Sequence, residues 1–303
     1  MNVVAHPRAK GRVAASAAPA VSVVMVVYFT GPALERSLRR VLDDPRVEEF
    51  VLVDNGSTGL EAAALDAASR DKRVKLLRGH GNIGFARGAN LGARTAKGRD
   101  LVFLNPDAFL EPGCVASLVE TLEGAPAALV GARVLNEDGQ EQRGARRGEV
   151  TPLTTVLSLT GLARRVGFLR RFEIHHEGDD LPTGAEAIPT VSGACFAMRR
   201  EAFEAVGGFD EGYFLHVEDV DLCWRVRKAG GAVLFQPAAR VVHPGSTSQK
   251  SPVAVEYWKG LGLARYFRKR ASSAPAKAAA WLLFPAIVGV SVFRALRTRR
   301  ARR

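Results

Sequence analysis

The chain has 303 residues, 47% of them hydrophobic, which is enough apolar material to bury a large core and excludes a disordered protein. Its three cysteines, Cys114, Cys195 and Cys223, are odd in number and lack CxxC spacing, so neither a disulfide framework nor a thiolate zinc site is supported; small buried side chains in a reducing, cytoplasmic setting are expected. The net charge of +12 is confined to the end of the chain: twelve of the 43 Lys+Arg follow the last acidic residue, Glu256, and leave 31 basic against 31 acidic side chains before it. A nucleic-acid groove needs basic residues on the folded body, so no nucleic-acid partner is expected.

Residues 1–20 mix Arg8, Lys10 and Arg12 with Ala, Pro and Ser and contain no apolar stretch, which predicts a flexible arm and not a signal peptide. Residues 21–28 (VSVVMVVY) are a β-branched run of the kind that fills a strand buried on both faces. Helical spacing follows over 32–42, with Pro32 tolerated in the first turn. Strand signals recur at 50–53, 74–77, 101–104 and 128–131, separated by helical stretches at 60–69, 86–95 and 112–122. This alternation predicts an α/β protein with a mostly parallel sheet covered on both faces, whose ligands bind outside the carboxyl ends of the strands.

Polar residues gather at those ends. The second strand runs into Asp54-Asn55-Gly56-Ser57, where Asp54 can accept hydrogen bonds from a base or ribose or simply form the turn. The third leads into Gly81-Asn82-Ile83-Gly84 and on to Asn90 and Gly92; the glycines permit close approach of a phosphate to helix-opening amides, or tight packing of the helix. Residues 79–84 also match GxGxxG, but after the third strand and not in the first βα turn. The fourth strand ends in Asn105-Pro106-Asp107, and Asp107 is a carboxylate suited to a hard divalent cation or to stabilising the turn.

Residues 133–189 are rich in Gly and Arg and carry an apolar helical piece at 151–162, then Arg164-Arg165 and Arg170-Arg171. Either a membrane-facing arginine surface or an irregular surface insertion fits this stretch. His175, His176 and His216 have no partner spacing and are expected in solvated or core roles. Further on, Glu218-Asp219-Val220-Asp221 packs three carboxylates into four residues at the start of a helix that ends at Gly230-Gly231. Such neighbours disfavour one another's charge and need a cation, hydrogen bonds or a proton to hold them, which marks a candidate reaction centre. Asp221 can pair with Arg225 one turn on, and Trp224 is expected in the core. An isolated His243 follows. In the tail, Arg265, Arg268-Lys269-Arg270 and the basic residues from Arg294 bracket an apolar run of sixteen residues, 278–293, short of the ~20 that span a bilayer. Snorkelling Lys and Arg at both ends predict a membrane-associated C-terminus; a buried helix with a solvated tail is the alternative.

In order along the chain, the Val-rich strand, Val53-Asp54-Asn55-Gly56-Ser57, the Asn82 to Gly92 block, Leu104-Asn105-Pro106-Asp107, residues 192–200, Gly207-Gly208-Phe209-Asp210-Glu211, the Glu218-Asp219 cluster and His243 together resemble inverting family-2 glycosyltransferases of the GT-A fold, in particular their rhamnosyltransferase-like branch. The resemblance covers roughly residues 21–245. It implies a GT-A domain over 21–250, with a nucleotide-sugar half at 21–132 and an acceptor half at 133–250, followed by the helical tail 251–303. It also implies that Asp54 contacts the nucleobase of a nucleotide-diphosphate sugar, with Tyr28 in the adjoining loop and Asn82, Gly84 and Asn90 in the donor-binding block. Asp107 and His243 would hold a divalent cation, Mg or Mn; Asp219 would be the base and Glu218 its neighbour at the acceptor hydroxyl. The usual Asp-x-Asp is one carboxylate short here, and Phe29-Thr30 stands where an Asn is common. The implied activity is transfer of a sugar, rhamnose from dTDP-rhamnose first, to a glycan or polyprenyl-diphosphate-linked acceptor at the cytoplasmic face of the inner membrane. Another donor such as a galactofuranose nucleotide, or a non-catalytic nucleotide-sugar-binding protein, are the alternatives. A glycosidase is disfavoured because its two carboxylates must face each other across ~5–9 Å of substrate.

Overall fold

The computed structural model describes residues 20–245 and 252–301, so the expected N-terminal arm lies outside the described residues apart from Ala20. The first half alternates as expected: β1 (Val21–Val27), α1 (Ala33–Leu42), β2 (Glu49–Asp54), α2 (Gly59–Ala68), β3 (Val74–Leu77), α3 (Phe85–Thr95) and β4 (Asp100–Leu104). The remainder comprises β5 (Phe109–Leu110), α4 (Cys114–Gly124), β6 (Leu129–Leu135), β7 (Arg146–Arg147), α5 (Pro152–Thr160), α6 (Leu162–Arg165), β8 (Glu186–Ala187), β9 (Thr190–Val191), β10 (Cys195–Arg199), α7 (Arg200–Ala205), α8 (Glu218–Lys228), β11 (Val233–Val242), α9 (Pro252–Arg270) and α10 (Ala274–Ala301). One sheet runs β3-β2-β1-β4-β10-β6-β11-β5, with β8 on β11, so both sides of residue 132 contribute to it. β3, β2, β1 and β4 are parallel, whereas β10 is antiparallel to both β4 and β6. The sheet is therefore mixed.

Strand alternation explains why β1 is apolar apart from the buried Ser22. Val21, Val23, Met25 and Val27 enter one core with α1 and α4, while Val24 and Val26 enter a second core with α3 and α8. Glycines set how closely α3 lies on that second face. A Cβ at Gly92 would stand 2.4 Å from Val24 Cγ1, and one at Gly88 2.9 Å from Val26 Cγ1. These two therefore serve packing.

A smaller third core joins Tyr213, Val217 and Val220 to Tyr266 and Phe267 of α9, with Val150 and Ile174 from the middle of the chain. Charge pairs reinforce it and tie α9 to the folded body. Arg265 and Lys269 bind Asp210, each at 2.8 Å, Lys269 also reaches the fully buried Asp221 at 2.8 Å, and Arg270 pairs with Glu149. Arg268 lies 4.3 Å over the Trp281 ring. Arg265, Lys269 and Arg270 of the basic bracket are thus held by carboxylates of the folded body, and Arg268 stacks on the apolar run itself. No helix among the described residues is long and apolar enough to cross a membrane. All three cysteines are free and buried.

Candidate functional site

The carboxyl ends of β1 and β2 lie side by side, with Val27 opposite Asp54 and the Asn55 N–H donating to Val27 O at 2.9 Å. Asp54 realises its turn-forming alternative: one carboxylate oxygen accepts from Gly56 N at 3.0 Å and Ser57 N at 2.6 Å, and the other faces Arg78 Nε at 3.3 Å. Beside it the buried Asn55 shapes the loop after β3. Its Nδ2 donates to Gly84 O at 3.1 Å and its Oδ1 meets His80 Nε2 at 3.1 Å, while Asn82 Oδ1 accepts the Gly84 N–H at 3.0 Å. Gly84 sits at φ +81°, and a Cβ there would be 2.8 Å from Phe214 O, the carbonyl that accepts the Phe85 N–H at 3.0 Å. The loop that opens α3 is thereby fastened to the loop that precedes α8. Tyr28 stands at the end of β1 with its ring edge-on to Phe29, whose φ of +48° is left-handed.

Asn90 differs from the expectation of a donor ligand. Its amide is consumed by the 207–211 loop: Nδ2 donates to Phe209 O at 2.9 Å and Oδ1 accepts the Phe209 N–H at 2.9 Å. It is buried on the inner side of α3 and positions that loop.

Asp107 and His243 do meet. β5 pairs antiparallel with β11, and His243 Nε2 lies 3.0 Å from Asp107 Oδ1. Gln142 fixes the other ring nitrogen: its Nε2 donates to His243 O at 2.8 Å, which leaves Oε1 to face His243 Nδ1 at 2.9 Å. Nδ1 therefore carries a proton. Nε2 and a carboxylate oxygen are then two acceptors in contact, an arrangement that needs a second proton or a cation between them. An imidazole oriented by an outer hydrogen bond and facing a carboxylate fits a divalent metal. No cluster of three or more His, Cys, Asp or Glu suited to a metal occurs among the described residues.

The acidic cluster opens α8 as expected, and Asp221 pairs with Arg225 at 2.7 Å. His216 and Val217, the two residues before the helix, both adopt positive φ, +67° and +72°. Such backbone costs ~1–3 kcal/mol per residue and persists where surrounding structure enforces it. Asp219 Oδ2 accepts from Arg147 Nη2 and from Gly193 N at 3.1 Å, and Oδ1 accepts from Val220 N at 2.8 Å. Burial alone would raise the Asp219 carboxyl, but the Arg147 guanidinium and these donors outweigh it and hold it below the usual carboxylate range. Glu218 is the opposite case. It is 8% exposed, its Oε2 has no hydrogen-bond partner among the described residues, and burial together with the Asp219 charge pushes it up to about 8. The pair thus holds one proton and one charge.

Gly193 and Ala194 connect the two parts. A Cβ on Gly193 would lie 3.0 Å from Asp219 Cβ, and the next carbonyl, Ala194 O, accepts the Asn105 N–H at 2.9 Å. The strand turn bearing Asp107 and the helix bearing Asp219 are therefore two hydrogen bonds apart along the backbone. Arg147, Gln142 and Gly193 received no role from sequence. Gly193 lies within the family-like block 192–200, while Gln142 sits in an irregular segment and Arg147 in a two-residue strand, neither of which leaves a periodic signal. Trp224 packs edge-on against Tyr266 in the third core. His175 is partly buried, and burial with the neighbouring Arg143 lowers it to about 4.

The sequence profile named Glycosyl transferase family 2 matches residues 22–207. An N-acetylglucosaminyl-diphospho-decaprenol L-rhamnosyltransferase of Mycobacterium tuberculosis (strain H37Rv) is 32% identical over 237 residues, covering 73% of this chain and 75% of the relative. Among solved structures, GalNAc-T7 with UDP, GalNAc and Mn2+ superposes with a TM-score of 0.60 at 21% identity, over 87% of this chain and 52% of the other. The mannosyltransferase PcManGT from Pyrobaculum calidifontis, in complex with GDP-Man and Mn2+, gives 0.58 at 18% identity, over 94% and 76%. These structures share the mixed sheet flanked by helices. The chain belongs to glycosyl transferase family 2 and has the GT-A fold.

Proposed function

We propose that this enzyme is an inverting hexosyltransferase that moves rhamnose from dTDP-rhamnose onto a lipid-linked acceptor sugar in cell-envelope glycan synthesis, at the cytoplasmic face of the inner membrane. The two-part site carries this reading. On one side Asp107 and His243 face each other in an arrangement that a cation between them would satisfy; on the other Asp219 is the single charged carboxylate of its pair, two hydrogen bonds away by way of Gly193 and Ala194. The rhamnosyltransferase relative supports rhamnose as the sugar and a lipid-borne acceptor.

Asp219 Oδ2 has both acceptor positions filled by Arg147 and Gly193, whereas Oδ1 accepts only one backbone N–H. Oδ1 is the atom that can take the acceptor hydroxyl proton as that oxygen attacks the anomeric carbon opposite the departing diphosphate, a contribution of ~10²–10⁴ in rate. Glu218, neutral in the pair, keeps a second negative charge from the acceptor pocket. The turn of Asp54 and the fixed 80–84 loop form the platform for the nucleotide and its phosphates. A divalent cation between Asp107 and His243, Mn more than Mg because of the imidazole, would act as a Lewis acid toward the diphosphate, whose oxygens complete its ligand set.

Thermal shift with a panel of nucleotides and nucleotide sugars, with and without Mn, tests the proposal. At a hundred times Kd a donor adds about 2.7 kcal/mol of stability, several degrees in midpoint. Cation-dependent stabilisation by dTDP-rhamnose is expected. Preference for a galactofuranose nucleotide would reassign the donor, and indifference to every nucleotide would sink the reading.

A further inference from the structure

Between Val150 and Ile174 of the third core the chain presents a second surface, which the transfer reaction does not use. Residues 150–172 contain four arginines and no acidic residue, in a body whose charges balance as a whole. They fold as α5, α6 and a 3₁₀ turn, Gly167–Phe172, which pack against one another. Leu153 and Val156, one turn apart on α5, are 57% and 56% exposed, and Phe168 is 72% exposed. Arg165, Arg170 and Arg171 are exposed and pair with no carboxylate among the described residues, whereas Arg164 is held by Glu173 at 3.4 Å and Glu177 at 2.5 Å.

We infer that residues 150–172 form a docking surface for an anionic phospholipid bilayer. Short helices with protruding Leu, Val and Phe beside unpaired arginines have the make-up of an interfacial segment, in which apolar side chains enter the headgroup boundary and cations meet lipid phosphates. Arg265, Lys269 and Arg270 of α9, by contrast, are occupied by Asp210, Asp221 and Glu149, Lys259 lies 3.9 Å from Glu256 and Arg268 stacks on Trp281, so charge complementarity singles out this segment and not that helix. Its place in the chain matters to the reaction proposed above, on which this inference builds. Arg147, which holds Asp219, precedes the α5 cap Thr151 by four residues, at most ~14 Å of chain. A bilayer met by α5 and the 3₁₀ turn lies within reach of the base, where a lipid-borne acceptor presents its sugar.

Co-sedimentation of the full chain with vesicles of phosphatidylcholine alone, or of equal parts phosphatidylcholine and phosphatidylglycerol, tests this. The protein is expected on the phosphatidylglycerol vesicles, and L153D/F168D and R165E/R170E/R171E each to weaken that partition roughly tenfold or more. These side chains are exposed, so thermal midpoints and their shift by nucleotide should match the parent. Equal partition of parent and variants, or no binding of the parent to either vesicle, overturns the inference. No nucleotide sugar is present in the vesicle assay, so failure there leaves the glycosyltransferase reading standing, and a protein indifferent to nucleotides can still dock.

Discussion

Replacing Glu218 with Gln keeps its shape and removes its proton equilibrium, which makes it the sharpest probe of the acidic cluster. Glu218 is buried with one oxygen unpartnered among the described residues, and burial plus the charge of Asp219 raise it from 4.5 to about 8. The folded protein therefore keeps a proton that the unfolded chain releases above 4.5. Its contribution to stability is complete below that pH and is lost as pH rises through about 8. The interval 8 − 4.5 = 3.5 corresponds, at 1.36 kcal/mol per pH unit, to an upper bound of about 5 kcal/mol, and sharing of the proton between Glu218 and Asp219 lowers it. Urea unfolding followed by tryptophan fluorescence at pH 5 and at pH 8.5 reads this directly. The parent should lose several kcal/mol relative to E218Q over that range. Parallel pH dependence in the two proteins would show that Glu218 is charged in the folded state and refute the one-proton description of the pair.

Asp219→Asn should lower kcat by ~10²–10⁴ while nucleotide-induced stabilisation stays at the parent value, as measured by transfer assay and thermal shift. Arg147→Met should destabilise the fold by about 3 kcal/mol in urea titrations, because it strands a carboxylate that is only 17% exposed. In the same variant the acid limb of the kcat/KM profile should move to higher pH, since the guanidinium that holds Asp219 down is gone. Gln142→Leu removes the acceptor that orients His243, and Mn titrated against activity should show roughly 10–100-fold weaker binding.

Local signals carried most of the donor half. The Val-rich run of β1 announced a strand buried on both faces, and the Asp221 to Arg225 pair followed from helical spacing alone. Asp107 and His243 were grouped through family resemblance, and the fold brings them together across 136 residues by pairing β5 with β11. What sequence could not disclose depends on equally distant pairings without periodicity. Arg147 reaches Asp219 across 72 residues from a two-residue strand, and Gln142 reaches His243 across 101. Arg265 and Lys269 looked like tail charge because their partners, Asp210 and Asp221, lie 48 to 59 residues upstream. Asn90 sits inside a donor-like block, yet burial turns its amide to the Phe209 backbone.

The central claim is a rhamnosyl transfer driven by Asp219. Its most direct measurement is incubation of the full chain with dTDP-rhamnose, Mn and a polyprenyl-diphosphate-linked N-acetylglucosamine in detergent, with the new linkage read by NMR. A rhamnosylated product of inverted anomeric configuration, absent with D219N, is the predicted result. Retained configuration, or undiminished product from D219N, would contradict it.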